Sequence, residues 1–220
     1  MKSLSINTVA SVLTTCCISL IALIQSPLES KADQFCRNIK SESKCQKLKD
    51  VYEGALKPYL EEGDYLGSLE KLDKVIRSNK SFAPAYFARG FIYYDEVLDN
   101  SKSLKDFNKV ISLDPAFSDA YGWRSDYLIF QLGDFRKGLK DANKSVEVDP
   151  NNAMSYMFRG YANQEYAYVS LEKDQVDKAV TLAKEAIEDF TSVIDGPSFQ
   201  LPKIYIRNRP YGILNDAHQQ

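Results

Sequence analysis

The chain has 220 residues, of which 44% are hydrophobic and 26% charged. This ordinary globular composition excludes disorder throughout and is enough to bury one core or one short solenoid. The 28 basic and 30 acidic residues are spread along the whole sequence and give a formal charge of -2, so no charge pattern points to nucleic acid or to a membrane surface.

The first 32 residues differ from the rest of the chain. Lys2 is the only early charge, a mostly apolar run extends from Val9 to Ile24, and small residues precede a possible cleavage site after Ala32. This pattern predicts a secretory signal peptide over residues 1–32. Two alternatives stay open. One is a retained anchor, although the run is shorter than the roughly 20 apolar residues that span a bilayer. The other is a lipoprotein signal ending at Cys16, although Thr15 stands where such signals carry Gly or Ala.

Residues 33–47 form a lead-in segment with two cysteines. Cleavage after residue 32 would remove Cys16 and Cys17 and leave Cys36 and Cys45. An even number of cysteines in an exported chain predicts a disulfide, which would contribute about 2 kcal/mol by closing a small loop. A redox pair normally has two intervening residues, and a metal site needs more ligands than the single histidine, His218, can add.

The strongest pattern is an internal repeat with a period of 34 or 35 residues. Shifting the chain against itself superposes four tyrosines, and an arginine followed by a small residue stands three positions after the last three of them. Each unit continues with a polar turn and a second apolar helical stretch, and then ends near a proline that cannot continue a helix. The superposed residues are Tyr52, Tyr86, Tyr121 and Tyr156, with Arg89, Arg124 and Arg159.

These residues resemble the tetratricopeptide repeat, in which an aromatic, a small residue, Ala, Phe and Pro follow at set distances. The match is carried by Tyr86, Gly90, Tyr93, Ser103, Phe107, Val110 and Pro115, by Tyr121, Ser125, Leu128, Gly138, Ala142 and Pro150, and by Tyr156, Gly160, Ala186, Phe190 and Val193. In this register the small residues of the two helices face each other, as Gly90 and Ser103, Ser125 and Gly138, and Gly160 and Ala186.

The resemblance implies an all-α fold, a right-handed superhelix of about four helical hairpins. The predicted units are 48–82, 83–117, 118–152 and 153–198, and we expect 199–220 to be a C-terminal capping segment. Two units depart from the pattern. Pro58 should kink the first helix of the first unit, and extra residues between Gly160 and Ala186 predict elongated helices in the fourth.

A charge pair repeats with the units. Each repeat arginine has an aspartate at the matching place on the second helix, and the first unit lacks both. We expect an Arg-Asp bridge that clamps each hairpin, with a bridge to the adjacent repeat as a variant and unrelated solvated charges as the alternative. The predicted pairs are Arg89 with Asp106, Arg124 with Asp141, and Arg159 with Asp189.

The resemblance also implies that the first helices line a concave groove that holds peptides. The groove positions would be Phe87, Phe91, Tyr94, Asp95, Asp126, Phe130, Met154, Met157 and Tyr161. Aromatic and methionine side chains with acidic neighbours suit an apolar or basic-apolar peptide. The alternative is that these side chains belong to the core, since aromatic residues at helical spacing are usually buried.

Catalysis is not expected. The only histidine is His218, and no P-loop, dinucleotide fingerprint or zinc-protease motif is present. Adjacent acidic residues such as Glu61 and Glu62 are typical of a solvated helix face. We therefore predict no catalytic residue, no cofactor and no metal.

Two functions remain open for an exported chain in the periplasm, the thylakoid lumen or the extracellular space. One is an interaction module or assembly factor that binds a partner peptide in the groove. The other is a structural subunit of an envelope complex that uses the convex face or the fourth hairpin. Either way we expect a protein or peptide partner, no nucleic acid, and no membrane after signal cleavage.

Overall fold

The computed structural model describes residues 39–195, and within them the chain forms eight α-helices and no strand. The helices are α1 (Glu42–Lys57), α2 (Tyr65–Ser78), α3 (Ala83–Ile92), α4 (Asn100–Leu113), α5 (Ser118–Phe130), α6 (Phe135–Val148), α7 (Ala153–Glu172) and α8 (Val176–Asp195). The predicted signal peptide, Cys36 and the C-terminal segment 199–220 lie outside the described residues. The Cys36–Cys45 pairing therefore stays a prediction.

The helices form four consecutive hairpins in which each helix packs on the next along the chain, and α5 also packs on α7. The second helices supply much of the core, because apolar residues three or four apart share one face. Leu72 and Val75 of α2, Phe107 and Val110 of α4, and Phe190 of α8 are buried. The predicted all-α solenoid of helical hairpins is confirmed.

Aspartates at 35-residue intervals begin three of the second helices. The carboxylates of Asp64, Asp99 and Asp134 accept hydrogen bonds from backbone N–H groups three residues later, at 2.8, 3.0 and 3.1 Å. Such N-caps satisfy donors that have no partner inside the helix. The repeat thus includes the helix start as well as the core.

The first unit does not simply kink at Pro58. Helix α1 ends at Lys57, and the chain continues as a wider π-helical turn over Pro58–Glu62. The backbone N–H of Tyr59 donates to Ser68 Oγ of α2 at 2.9 Å. A second π-helical turn, Tyr93–Val97, follows α3, where no proline signalled it.

The fourth hairpin is longer than the others. Helices α7 and α8 have 20 residues each, whereas α5 has 13 and α6 has 14. At 1.5 Å per residue, six extra residues lengthen a helix by about 9 Å. The elongation predicted for this unit is confirmed.

Glycines mark three close crossings of helices. A Cβ at Gly138 would lie 2.3 Å from Cγ1 of Ile129 and 3.2 Å from the backbone oxygen of Ser125, the predicted neighbour. At Gly90 and Gly160 the nearest atoms belong to Asp106 and Phe107, and to Phe190, rather than to the predicted Ser103 and Ala186. The second helix therefore presents an aromatic ring about one turn further along. The ring fills the space that the missing side chain leaves.

Candidate functional site

Arg89 joins three helices. Its Nε and Nη2 donate to the two carboxylate oxygens of Asp106 on α4 at 2.8 and 2.7 Å, and its Nη1 donates to Asp73 on α2 at 2.7 Å. The first bond pair lies within the hairpin, and the third bond reaches the preceding unit. The intra-hairpin bridge and the bridge to the adjacent repeat, which the sequence presented as variants, are both formed by this residue.

The arrangement repeats in the next units. Arg124 binds Asp141 with two bonds of 2.6 and 2.8 Å, and it reaches Asn108 of the preceding unit at 2.7 Å. Arg159 binds Asp189 with two bonds of 2.9 and 2.6 Å. In all three units the guanidinium also lies 5.4–5.7 Å from the ring centre of the repeat tyrosine, within cation–π range.

Burial affects the two partners of the first clamp differently. Two hydrogen bonds from Arg89 lower the pKa of Asp106, but burial has the larger effect and raises it. The same hydrogen bonds raise the pKa of Arg89, so that the guanidinium stays charged. The clamp is a bidentate, largely buried pair with a structural role.

The first helices of three units also share a second face, which points away from the clamps. In the second, third and fourth units, residues two and five positions after the repeat tyrosine share one face of the first helix, about 160° from the Tyr-Arg face at 100° per residue. The residue nine positions after the tyrosine continues this face, in the second unit from the π-helical turn that follows α3. We call this face the concave strip. It consists of Ala88, Phe91 and Asp95, of Trp123, Asp126 and Phe130, and of Phe158, Tyr161 and Glu165.

Aromatic rings connect the strip from unit to unit. The Trp123 ring lies 4.9 Å from the Phe91 ring and 5.1 Å from the Phe158 ring, both edge to face. The Tyr94 ring lies 5.8 Å from Trp123. Edge-to-face contacts are the preferred geometry of aromatic pairs. The strip therefore has a continuous aromatic floor across α3, α5 and α7.

The concave strip also contains carboxylates. The Tyr94 hydroxyl donates a hydrogen bond to Asp126. Burial is the main cause that raises the pKa of Glu165, and the nearby charge of Asp126 raises it further. Beside the strip, Asp119 accepts a 2.6 Å bond from Asn152. The sequence of the strip contains three carboxylates and no basic residue, so its charged side chains are all acidic.

The structure divides the nine predicted groove residues by burial. Phe130 is exposed, Asp95 and Tyr161 are half-buried, and the other six are buried: Phe87, Phe91, Tyr94, Asp126, Met154 and Met157. The Phe87 ring lies 4.9 Å from the Phe117 ring and 6.0 Å from the Phe107 ring, tilted against both, so it helps to join α3 to α4 and to the turn before α5. A binding role for the nine stays a prediction.

Trp123, Phe158 and Glu165 belong to the strip, and sequence reasoning missed them. Their signal was in the sequence, because they stand two or nine positions after a repeat tyrosine. Applying the repeat offset to every unit, rather than choosing residues unit by unit, would have found them.

The side of the solenoid that carries the clamps has a different character. An open groove of about 1030 Å³ runs between α4 and α6 across α5, with Tyr121 and Arg124 in its lining. Its rim carries basic side chains of α6, namely Arg136, Lys137, Lys140 and Lys144. The two faces therefore differ in charge, acidic on the strip and basic at this groove.

Among residues 39–195, no group of three or more His, Cys, Asp or Glu is placed to hold a metal ion. No helix in the same part of the chain is both long and apolar enough to cross a membrane.

Hairpins joined by repeated clamps, with an aromatic face on their first helices, define a tetratricopeptide-type solenoid. Solved structures share this fold. A crystal structure of MamA matches with a TM-score of 0.52 at 16% identity, covering 87% of this chain and 98% of that one. A second crystal structure of MamA matches with a TM-score of 0.52 at 19% identity, covering 73% and 82%. MamA from residue 41 onward, from Desulfovibrio magneticus RS-1, gives 0.50 at 16% identity, covering 84% and 95%.

At these identities the likeness concerns the fold alone. No protein-family model matches the sequence, and no curated protein matches it.

Proposed function

We propose that this chain is an exported protein–protein interaction module whose concave strip binds an extended segment of a partner protein. The segment would combine apolar side chains with at least one Lys or Arg. Aromatic residues supply a large, rigid contact area for such ligands. The solenoid fold supports the general role, and the acidic aromatic strip supports this choice of ligand.

The observation that carries the proposal is the pair Asp126 and Glu165. Burial raises the pKa of Glu165, and the charge of Asp126 raises it further. A cation placed between two such carboxylates would relieve the repulsion and lower the pKa of Glu165. A basic side chain of the partner provides that cation.

The same features favour binding over catalysis. The strip has carboxylates, a hydrogen-bonded tyrosine and aromatic rings, but no side chain of a nucleophile-and-base pair. We therefore propose that the protein holds its partner without transforming it. The N-terminal sequence supports action in an exported compartment, as an adaptor or an assembly factor.

Binding can be tested with the mature chain and a library of synthetic peptides. The peptides pair apolar residues with either Lys and Arg or Asp and Glu, and affinity is measured by the fluorescence of Trp123, the only tryptophan of the protein. We expect the basic peptides to bind and the acidic ones to fail. Tight binding of acidic peptides, or of neither class, would refute the proposal.

Matched variants locate the site. Phe130→Ala removes an exposed ring of the strip, and Leu132→Ala removes an exposed side chain two residues away, outside it. Glu165→Lys reverses a strip charge, and Glu172→Lys reverses an exposed charge on the same helix. The strip variants should weaken binding of basic peptides at least tenfold, and both controls should bind as the wild type does.

A structural subunit of an envelope complex is the second candidate. The elongated α7 and α8 favour it, because their tip carries the exposed Val176. In this case Val176→Asp would abolish association with envelope partners in crosslinking experiments, and the strip variants would leave that association intact.

A further inference from the structure

We propose that the groove on the clamp side binds an acidic, partly apolar segment of a second partner protein. Tyr121 and Arg124 line this groove, so it lies on the face opposite to the concave strip and does not depend on what the strip binds. The shape of the groove, its unbalanced positive charge and a cluster of cations at one end support this occupant.

The floor of the groove is apolar. The groove has a volume of about 1030 Å³, and one leucine from each of three helices lines it: Leu104 of α4, Leu128 of α5 and Leu139 of α6. All three are half-buried, so each keeps part of its apolar surface in contact with water. A partner that inserts apolar side chains between α4 and α6 would cover this surface, which favours binding.

The Arg-Asp clamps leave the second helices with an excess of positive charge. Asp106 of α4 and Asp141 of α6 are each bound by the arginine of their own unit. The remaining acidic residue of these two helices is Glu147, which pairs with Lys144 at 2.5 Å. The two helices also carry seven basic residues, namely Lys102, Lys105, Lys109, Arg136, Lys137, Lys140 and Lys144.

Four of the seven basic side chains form no ion pair among residues 39–195. Two others pair with the N-cap aspartates that precede their helices, at 2.9 and 2.7 Å, and Lys144 pairs with Glu147. Arg136 and Lys140 line the groove and stand four residues apart, on one face of α6. Their charge would attract carboxylates of a partner and repel the basic segment proposed for the strip. The four exposed side chains are Lys105, Lys109, Arg136 and Lys140.

A cluster where α6 begins provides an anchor for a carboxylate. The Tyr166 ring of α7 stacks on the Phe135 ring at 5.7 Å between centres, and the Lys178 ammonium lies 3.7 Å from the centre of the Tyr166 ring. Interaction with Lys178 is the main cause that lowers the pKa of the Tyr166 hydroxyl, and interaction with Arg136 lowers it further. A partner carboxylate at this point would accept charge-assisted hydrogen bonds from Arg136 and relieve the repulsion between the two cations.

The elongation of the fourth hairpin produces this cluster. Helix α5 ends at Phe130, nine residues after its repeat tyrosine, whereas α7 continues to Glu172. Tyr166 stands ten residues after Tyr156, so a first helix as long as α5 would end before it. Lys178 belongs to the first turn of α8. The unit that departs from the repeat pattern therefore supplies two of the three polar groups of the anchor.

The apolar floor favours a protein segment over other polyanions. The phosphates of a nucleic acid or of a membrane surface would contact the cations, but they would leave the three leucines uncovered. A segment in which apolar and acidic side chains alternate would satisfy both. The groove and the strip thus select ligands of opposite charge, and the protein would hold two different partners on its two faces.

Fluorescence anisotropy of labelled synthetic peptides tests the groove in the full mature chain. One peptide alternates Leu with Glu, and its matched control has Ser in place of every Leu. We expect the Leu-Glu peptide to bind about tenfold more tightly than the Ser-Glu peptide, because it alone covers the leucines. It should leave the fluorescence of Trp123 unchanged, since that side chain belongs to the strip on the opposite face.

Matched variants locate the site. Arg136→Glu combined with Lys140→Glu reverses two exposed charges of the groove and should weaken binding of the Leu-Glu peptide about tenfold. Tyr166→Phe keeps the ring and removes the hydroxyl, and it should weaken binding about fivefold. Lys71→Glu combined with Arg77→Glu makes the same change of net charge at exposed positions of α2, outside the groove lining. This control should bind the peptide as the wild type does, and thermal unfolding checks that every variant is folded.

Each contrary result overturns the inference. Equal losses in the two double variants would leave only attraction by net charge. Equal affinity for the Leu-Glu peptide and for the Ser-Glu peptide, a single-stranded oligodeoxynucleotide or phosphatidylglycerol vesicles would make the groove a general polyanion site. A change in Trp123 fluorescence that persists in the groove variant would place the acidic peptide on the strip. The proposed function is judged separately, by the fluorescence of Trp123 with the basic peptides.

Discussion

Arg89 and Asp106 form a bidentate ion pair across the second hairpin, with bonds of 2.8 and 2.7 Å and an Asp106 side chain that is only 4% exposed. The same guanidinium binds Asp73 of the preceding unit, whose side chain is 40% exposed. One arginine thus makes a buried bond within its unit and a more solvated bond between units. Exposed pairs contribute little because water screens them.

Double-mutant cycles should separate these two bonds. We expect a coupling of about 1 to 3 kcal/mol between Arg89 and Asp106, as for hydrogen bonds to charged groups, and of about 0 to 1 kcal/mol between Arg89 and Asp73. Urea unfolding of the single and double alanine variants measures both couplings. The cycle on Arg124 and Asp141 should resemble the first, and zero coupling there would rule out the clamp.

Gly122 provides a test of packing between units. A Cβ at this position would lie 2.1 Å from Cδ2 of Phe158, so Gly122→Ala should cost about 1 to 3 kcal/mol through overpacking. Gly54→Ala is the matched control, since no atom lies within 4 Å of its Cβ. Alanine there should stabilise the helix by up to about 1 kcal/mol. Thermal unfolding compares the two, and equal shifts would contradict the packing.

Gly160→Leu should lower the melting temperature clearly. A Cβ there would lie 2.7 Å from the Phe190 ring, and the larger side chain has to displace that ring from a crossing within the longest hairpin. An unchanged melting curve would refute the close packing of Gly160 on Phe190.

Asp99 tests the repeated N-cap. Its carboxylate accepts a bond from the Lys102 N–H and an ion pair from the Lys102 ammonium at 2.9 Å. Asp99→Ala should cost about 1 kcal/mol of unfolding free energy. Asp99→Asn keeps the capping oxygen and should recover most of it. If both variants lost equal stability, the ion pair rather than the cap would be responsible.

Glu165 should make stability depend on pH. Its pKa is raised in the folded chain, chiefly by burial and further by Asp126. Its ionisation therefore opposes folding. The contribution of the neutral carboxyl to stability is complete below the pKa that Glu165 has in the unfolded chain, and it is lost as the pH rises through the pKa that Glu165 has in the folded chain. Glu165→Gln should be more stable than the wild type at neutral pH.

That advantage should shrink as the solution is acidified through the raised pKa of Glu165, and it should be gone below the ordinary pKa of glutamate. Unfolding curves at several pH values measure the difference, with Glu172→Gln as an exposed control on the same helix. An advantage of Glu165→Gln that stays constant with pH would contradict the assignment.

The sequence by itself determined the repeat, the two helices of each unit, the three Arg-Asp pairs and the elongation of the fourth hairpin. These features are periodic and local. A pairing that recurs at one offset in three units can be read without knowing how the units stack.

Only the tertiary structure decided how neighbouring units meet. The second partner of Arg89 is Asp73, the close neighbour of Gly122 is Phe158, and Gly90 faces Phe107 rather than Ser103. Each of these contacts depends on the angle at which one hairpin packs on another. The π-helical turn at Tyr93–Val97 changes the register at the end of α3, and no proline in this segment predicts it.

Burial within the strip was decided in the same way. Phe91 and Phe130 occupy corresponding faces of their helices, yet one is 2% and the other 49% exposed. Helical periodicity predicts which direction a side chain faces. What lies in that direction depends on the surrounding chain, and this is why the sequence could identify the face but not the depth of each residue on it.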